Sequence, residues 1–158
     1  MPVLMNDLTG GKLSVQVLPV MEKIAATALE KAGISLAAEI SLLLCDDKMI
    51  QELNKSWRSE DKPTDVLSFP LLDEEEPDIT AEELLLGDIV ISLDSAARQA
   101  MEYGWNTEEE VLRLFTHGLL HLLGYDHKNQ KEEQEMRSAE EKLLHMAGVR
   151  LDAPHEEK

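Results

Sequence analysis

"TEEEVLRLFTHGLLHLLGYDH", residues Thr107 to His127, has the pattern of one helix and the turn that ends it. Its apolar residues recur at helical spacing, and Leu114, Leu119 and Leu122 are among those suited to burial. Thr107 and Glu110 fit a capping box, and the acids that follow Thr107 suit the positive end of the helix dipole. Gly124 stands where a left-handed residue stops a helix. The same stretch holds His117, His121 and His127, three of the chain's five histidines. His117 and His121 are four apart, so a helix places them on one face. A turn at Gly124 then lets His127 come back to the same point. Three imidazoles on one ion, with a fourth position open, form the donor set of a catalytic zinc.

The spacing, with a glycine three residues after the second histidine, is similar to the zinc helix of the metzincin peptidases. One departure speaks against that chemistry. Peptidases of the H-E-x-x-H type carry a glutamate general base directly after the first histidine, and here that residue is Gly118. A glycine inside a helix costs about 1 kcal/mol relative to alanine, so something must offset it. The expectation is that Gly118 leaves room beside the ion for a bulky substrate group. His145 fits a helix C-terminus, where the dipole favours it, and His155 falls in the tail.

Upstream, "LSVQVL" (13–18) alternates as a strand, Pro19 opens a helix that Gly33 stops, and "AEISLLLC" (38–45) suits a buried strand. Asp46 or Asp47 caps "KMIQELNKSWR", and the turn residues of "SEDKPTDV" separate it from a short strand, "DVLSFP". "LGDIVISL" (86–93) is a fourth strand, Asp94 caps the helix after it, and a last helix spans about 131–147. The order β-α-β-α-β-β-α-α-α predicts an α/β (α+β) single domain: a four-stranded mixed sheet with about five helices, over residues 1–150. Residues 151–158 are expected to fray.

The net charge is −17, which argues against nonspecific nucleic-acid binding through the whole surface. Eight acids and no base lie between Asp73 and Asp88, so close to half of that charge sits in one loop (the acidic loop, 73–83) and its flank. Between Lys48 and Lys62 four bases outnumber three acids, and an anionic substrate can approach that side. Arg58 is the candidate for gripping a phosphate, since a guanidinium is planar, always charged and suited to a two-pronged contact. Asp88 and Asp126 are candidates for accepting a ligand histidine's second N–H. No apolar run spans a membrane, "MPVLMNDLTGGKLS" lacks the layout of a signal peptide, and Cys45 is alone. A reducing, cytoplasmic setting is expected.

"HGLLHLLGYDH", together with "NKSWRSEDKPTDVLSFP" and "LGDIVIS", resembles the YbeY family of bacterial metallo-endoribonucleases over about residues 10–150. The resemblance implies one zinc ion on His117, His121 and His127, and a functional arginine at Arg58. It implies cleavage of single-stranded RNA, in maturing the 3′ end of small-subunit (16S) rRNA and in ribosome quality control, with the ribosome and assembly proteins as partners. Two other classes stay open from the residues alone. One is a metal hydrolase of peptides or amides, against which Gly118 speaks. The other is a noncatalytic assembly factor with structural zinc, which would need a fourth protein ligand. The small aromatic share, 4%, argues against a broad base-stacking platform.

Overall fold

A computed structural model describes residues 2–71 and 85–151. Four strands form one sheet: β1 (Val3–Asp7), β2 (Glu39–Cys45), β3 (Val66–Pro70) and β4 (Leu85–Ser92). Five helices complete it: α1 (Val17–Ala32), α2 (Asp47–Arg58), α3 (Leu93–Tyr103), α4 (Thr107–Leu122) and α5 (Gln130–Met146). The element order and the mixed four-stranded sheet are those expected. The strands run β1-β2-β4-β3, parallel except for β3, which lies antiparallel on β4 at the sheet edge. The acidic loop and the residues after Leu151 lie outside the described residues.

Side-chain alternation separates the two faces of the sheet. Ile40, Leu42, Leu44, Ile89 and Ile91 belong to the main core with α1, α4 and α5. Cys45, Val90 and Leu67 meet Ile50 of α2 in a smaller cluster. Phe115, Leu119 and Leu120 press α4 into the main core, and Leu114 and Leu122 are as well buried. That packing fixes the helix carrying two histidines against β3 and β4.

Three local expectations need correction. The first strand is Val3–Asp7, and 13–18 leads into α1 instead. Val15 is 90% exposed while Val17 is buried, so the alternation there is not that of a strand in the sheet. Pro19 falls in the first turn of α1, where its missing N–H costs no helical bond. Second, α4 is capped by Asn106 with Glu109, a true capping box one residue earlier than Thr107 with Glu110. Glu110 is thereby free to face inward. Third, Ser92 caps α3, while Asp94 accepts a bond from the Asp47 N–H at 3.0 Å. Asp46 caps α2 through the Met49 N–H.

Candidate metal centre

The three histidines converge. Their ligand atoms lie within 4.8 Å of one another. Two nitrogens on a tetrahedral zinc stand about 3.4 Å apart, so the rings lie at most ~1.4 Å wider than ligation needs. His117 and His121 come from successive turns of α4, with ring centres 4.9 Å apart. His127 reaches them because α4 ends in a Schellman turn: the Gly124 N–H bonds His121 O and the Tyr125 N–H bonds Leu120 O. Gly124 has φ +101°, a backbone that costs glycine little and other residues much. Three neutral imidazoles form a donor set that suits zinc and leaves a coordination position open.

Protonation state supports ligation. Burial, and then the neighbouring His117 and His127, hold the His121 pKa below the ordinary imidazole value. A neutral ring is the form that binds metal. His117 Nδ1 lies 3.1 Å from Glu140 Oε1 and donates to it in the Nδ1–H tautomer, the one that an ionised carboxylate selects. That leaves Nε2 with the free lone pair.

Around the histidines lies a cleft of about 660 Å³, walled by β3, the end of α2 and the Gly124–His127 turn. Arg58 lines it. Its Nη2 donates to Ser68 O at 2.8 Å, and its guanidinium lies 5.6 Å from the Phe69 ring centre. These contacts hold the plane of the group while leaving its remaining donors for a ligand. Lys62 also lines the cleft, as do Glu60, Asp65 and Asp126. Asp65 is engaged by the Val66 N–H, and Glu60 lies 3.6 Å from Lys62.

Neither aspartate proposed from the sequence serves a ligand ring in this arrangement. Asp88 lies opposite Phe69 on β4, in a hollow with Trp57 and Val90 on the sheet face away from α4. Asp126 accepts the His127 backbone N–H at 2.7 Å, which holds its carboxyl below the usual range, and it lies 3.8 Å from Lys128. Among the described residues, Glu140, on α5, is the carboxylate that meets a ligand ring. Sequence spacing could not point to it, since 23 residues and a helix connection separate it from His117.

Gly118 also differs from expectation. A Cβ there would meet Ile89 Cγ2 and Ser68 Oγ, each at 3.0 Å. The missing side chain lets α4 lie close on β3 and β4. It opens no room in the cleft. The offset for a helical glycine is therefore helix-on-sheet contact, tightened by Ser68 Oγ donating to Gly118 O at 3.4 Å.

Comparison with known proteins shows the family and the fold. A family model described as Endoribonuclease YbeY matches residues 8–148. The Endoribonuclease YbeY of Desulforamulus reducens is 47% identical over 94% of this chain and 99% of its own length. That of Aquifex aeolicus is 49% identical over 78% of this chain and 79% of its own. A solution structure of a Thermotoga maritima protein shares the fold, with TM-score 0.59 and 26% identity, covering 90% of this chain and 91% of that one.

Proposed function

The chain belongs to the YbeY family of endoribonucleases, and on that premise we propose that it cuts single-stranded RNA with one zinc ion held by His117, His121 and His127. The convergence of those three rings beside Arg58 in one cleft carries the proposal. The proposed biological task is maturation of the 3′ end of small-subunit (16S) rRNA and ribosome quality control, in the cytoplasm. Among the described residues no helix is long and apolar enough to cross a membrane.

His117, His121 and His127 would hold the ion, and with three neutral donors it would supply an undiminished +2 charge, able to acidify water towards a pKa of about 7 and to polarise a phosphoryl oxygen. The chain's own groups do the rest. Burial, and then its neighbours His117 and His127, favour the neutral form of His121, the form that binds metal. Arg58 receives the phosphate: Ser68 O and Phe69 fix the guanidinium, and the residue lines the cleft. There it neutralises charge that develops as the phosphodiester breaks.

The cleft lining carries two bases, Arg58 and Lys62, against three acids, Glu60, Asp65 and Asp126. Its own balance is thus −1, and a divalent ion turns it to +1. Affinity for a polyanion then depends on the ion as much as on side chains. With −17 over the whole chain, placement on a particular RNA falls to the ribosome and assembly proteins.

The test is cleavage of a single-stranded RNA by purified protein of measured zinc content, with and without chelator, beside His117→Ala. Expected are loss of zinc and cleavage together in the variant, and loss of cleavage on chelation. Full cleavage by metal-free protein would refute the zinc reading. Products ending in a 2′,3′-cyclic phosphate would show attack by the RNA's own 2′-hydroxyl and remove water as the nucleophile.

A further inference from the structure

One side of α4 carries a polar stripe, of which the proposed reaction uses only the two histidines. Glu110, Arg113, His117 and His121 succeed one another at helical spacing. Glu110 is fully buried and fully engaged. Oε1 accepts from Trp105 Nε1 at 3.0 Å and Arg113 Nε at 2.9 Å; Oε2 accepts from Gln99 Nε2 at 2.6 Å and Arg113 Nη2 at 2.7 Å. Arg113 thus meets Glu110 with two prongs, and its guanidinium lies 5.6 Å from the Tyr103 ring centre. Its Nη1 stands 3.9 Å from Glu140 Oε2, and the other oxygen of Glu140 takes the His117 Nδ1–H. The Glu140 side chain is 11% exposed.

Burying such a series has a cost. Ionic groups removed from water repay their desolvation only with near-ideal partners, and apolar residues of similar volume are often as stable or more so. Stability alone is a poor reason for this arrangement. Its charge points elsewhere. Glu110 and Arg113 cancel, which leaves the charge of Glu140 uncompensated, and that carboxylate abuts a metal-ligand ring.

We propose that Glu140 is a positioning residue for the metal centre, and that the Glu110–Arg113 pair holds it there. Glu140 fixes the tautomer and tilt of His117, so that Nε2 faces the ion. Its negative charge makes the imidazole a stronger donor to a cation. Glu110 keeps Arg113 from folding onto Glu140 entirely, so one carboxylate oxygen stays with the ring. The centre is therefore supported from two helices: α4 bears two of the three ligands and α5 sets the orientation of one. The inference rests on the three histidines holding metal, and it concerns how tightly they do so.

Zinc dissociation constants, measured by competition with a chromophoric chelator, test it in the full chain. Glu140→Ala is expected to weaken zinc binding about 10- to 100-fold. Glu140→Gln keeps an oxygen acceptor and drops the charge, so it should lose affinity too, by less than the alanine variant. Cobalt(II) in place of zinc supplies a second readout: its visible bands should shift in Glu140→Ala, as a reoriented ring changes the ligand field. A folded Glu140→Ala protein that binds zinc as tightly as the parent, with an unchanged cobalt spectrum, would overturn the proposal. Should the alanine variant not fold, parent affinity in Glu140→Gln does the same. Failure of the parent itself to bind zinc is a separate result and sinks the metal reading instead.

Discussion

Gly118→Ala weighs two opposed terms that the structure makes separable. Alanine in place of glycine inside a helix gains about 1 kcal/mol from propensity. Against it, the new methyl stands 3.0 Å from both Ile89 Cγ2 and Ser68 Oγ and 3.4 Å from Ile89 Cδ1. Real Cβ atoms rarely stand so close to a neighbour, so a few tenths of an ångström must be found on two sides. Ile89 is fully buried, and Ser68 Oγ is tied to the Gly118 carbonyl, so neither yields freely. Overpacking of this kind costs about 1–3 kcal/mol. The balance is a loss of about 1 kcal/mol. For a chain of 158 residues the unfolding entropy is roughly 0.33 kcal/mol per degree, which makes that loss about 3 °C in Tm. Thermal melts of the two metal-free proteins, followed by circular dichroism, measure it. A rise of about 3 °C would mean that propensity acts alone and that nothing presses on Gly118. In that case the close helix–sheet contact is wrong, and the earlier expectation of open space beside the ion regains its standing.

Arg58→Ala should keep its zinc and lose about 10²-fold in RNA cleavage, as expected when a donor to developing charge is removed; unchanged turnover at full metal content would take Arg58 out of the reaction. Gly87→Ala should be far worse than Gly118→Ala. Gly87 has φ +152°, and an added Cβ would collide with the Phe69 carbonyl oxygen and stand 2.8 Å from Leu122 Cδ2. A loss of about 3 kcal/mol is expected, and a Tm within about 2 °C of the parent would refute it. Asp47 supplies the pH dependence. Burial opposes its charge, but hydrogen bonds from Ser92, Ser95 and Arg98 outweigh that and hold its folded pKa below the ordinary carboxylate value. The unfolded chain therefore takes up the proton first. Its stabilising contribution is complete above about pH 4 and fades as pH falls through the lower folded value. The Tm gap between parent and Asp47→Asn should narrow from pH 6 to pH 3, and a constant gap would contradict it.

How far the sequence could be followed depended on how local each determinant was. The α4 histidines were legible because helix period, capping glycine and donor type all fall within the span from Thr107 to His127. Arg58 was legible as chemistry, and its place in the cleft follows from β3 folding back beside α2. The edge strand at Val3–Asp7 was missed because only part of it is covered: Leu4 is 50% exposed, so the alternation is weak. Asp126 looked attractive through adjacency to His127, yet a side chain next to a turn is readily captured by the neighbouring N–H. Glu140 carried no local sign at all, because its partner is set by how α5 packs on α4. Gly118 was correctly noticed and wrongly explained: a one-dimensional pattern does not say which way a missing side chain would point.

The Schellman turn has a consequence for local opening. Two ligands belong to a helix that is stitched into the core, and the third hangs on a five-residue crossing, 125–129, between that turn and the Asn129 cap of α5. An ion joining them is a clasp on the crossing alone. Hydrogen exchange in the metal-loaded and metal-free protein should then differ chiefly at those amides, while α4 exchanges only through rarer, larger openings in both. The free energy of that clasp, RT ln(1 + [L]/Kd), sets how seldom the crossing lifts. Ion binding and loop order are in that sense one equilibrium, and whatever loosens His127 also lowers the barrier to losing the metal.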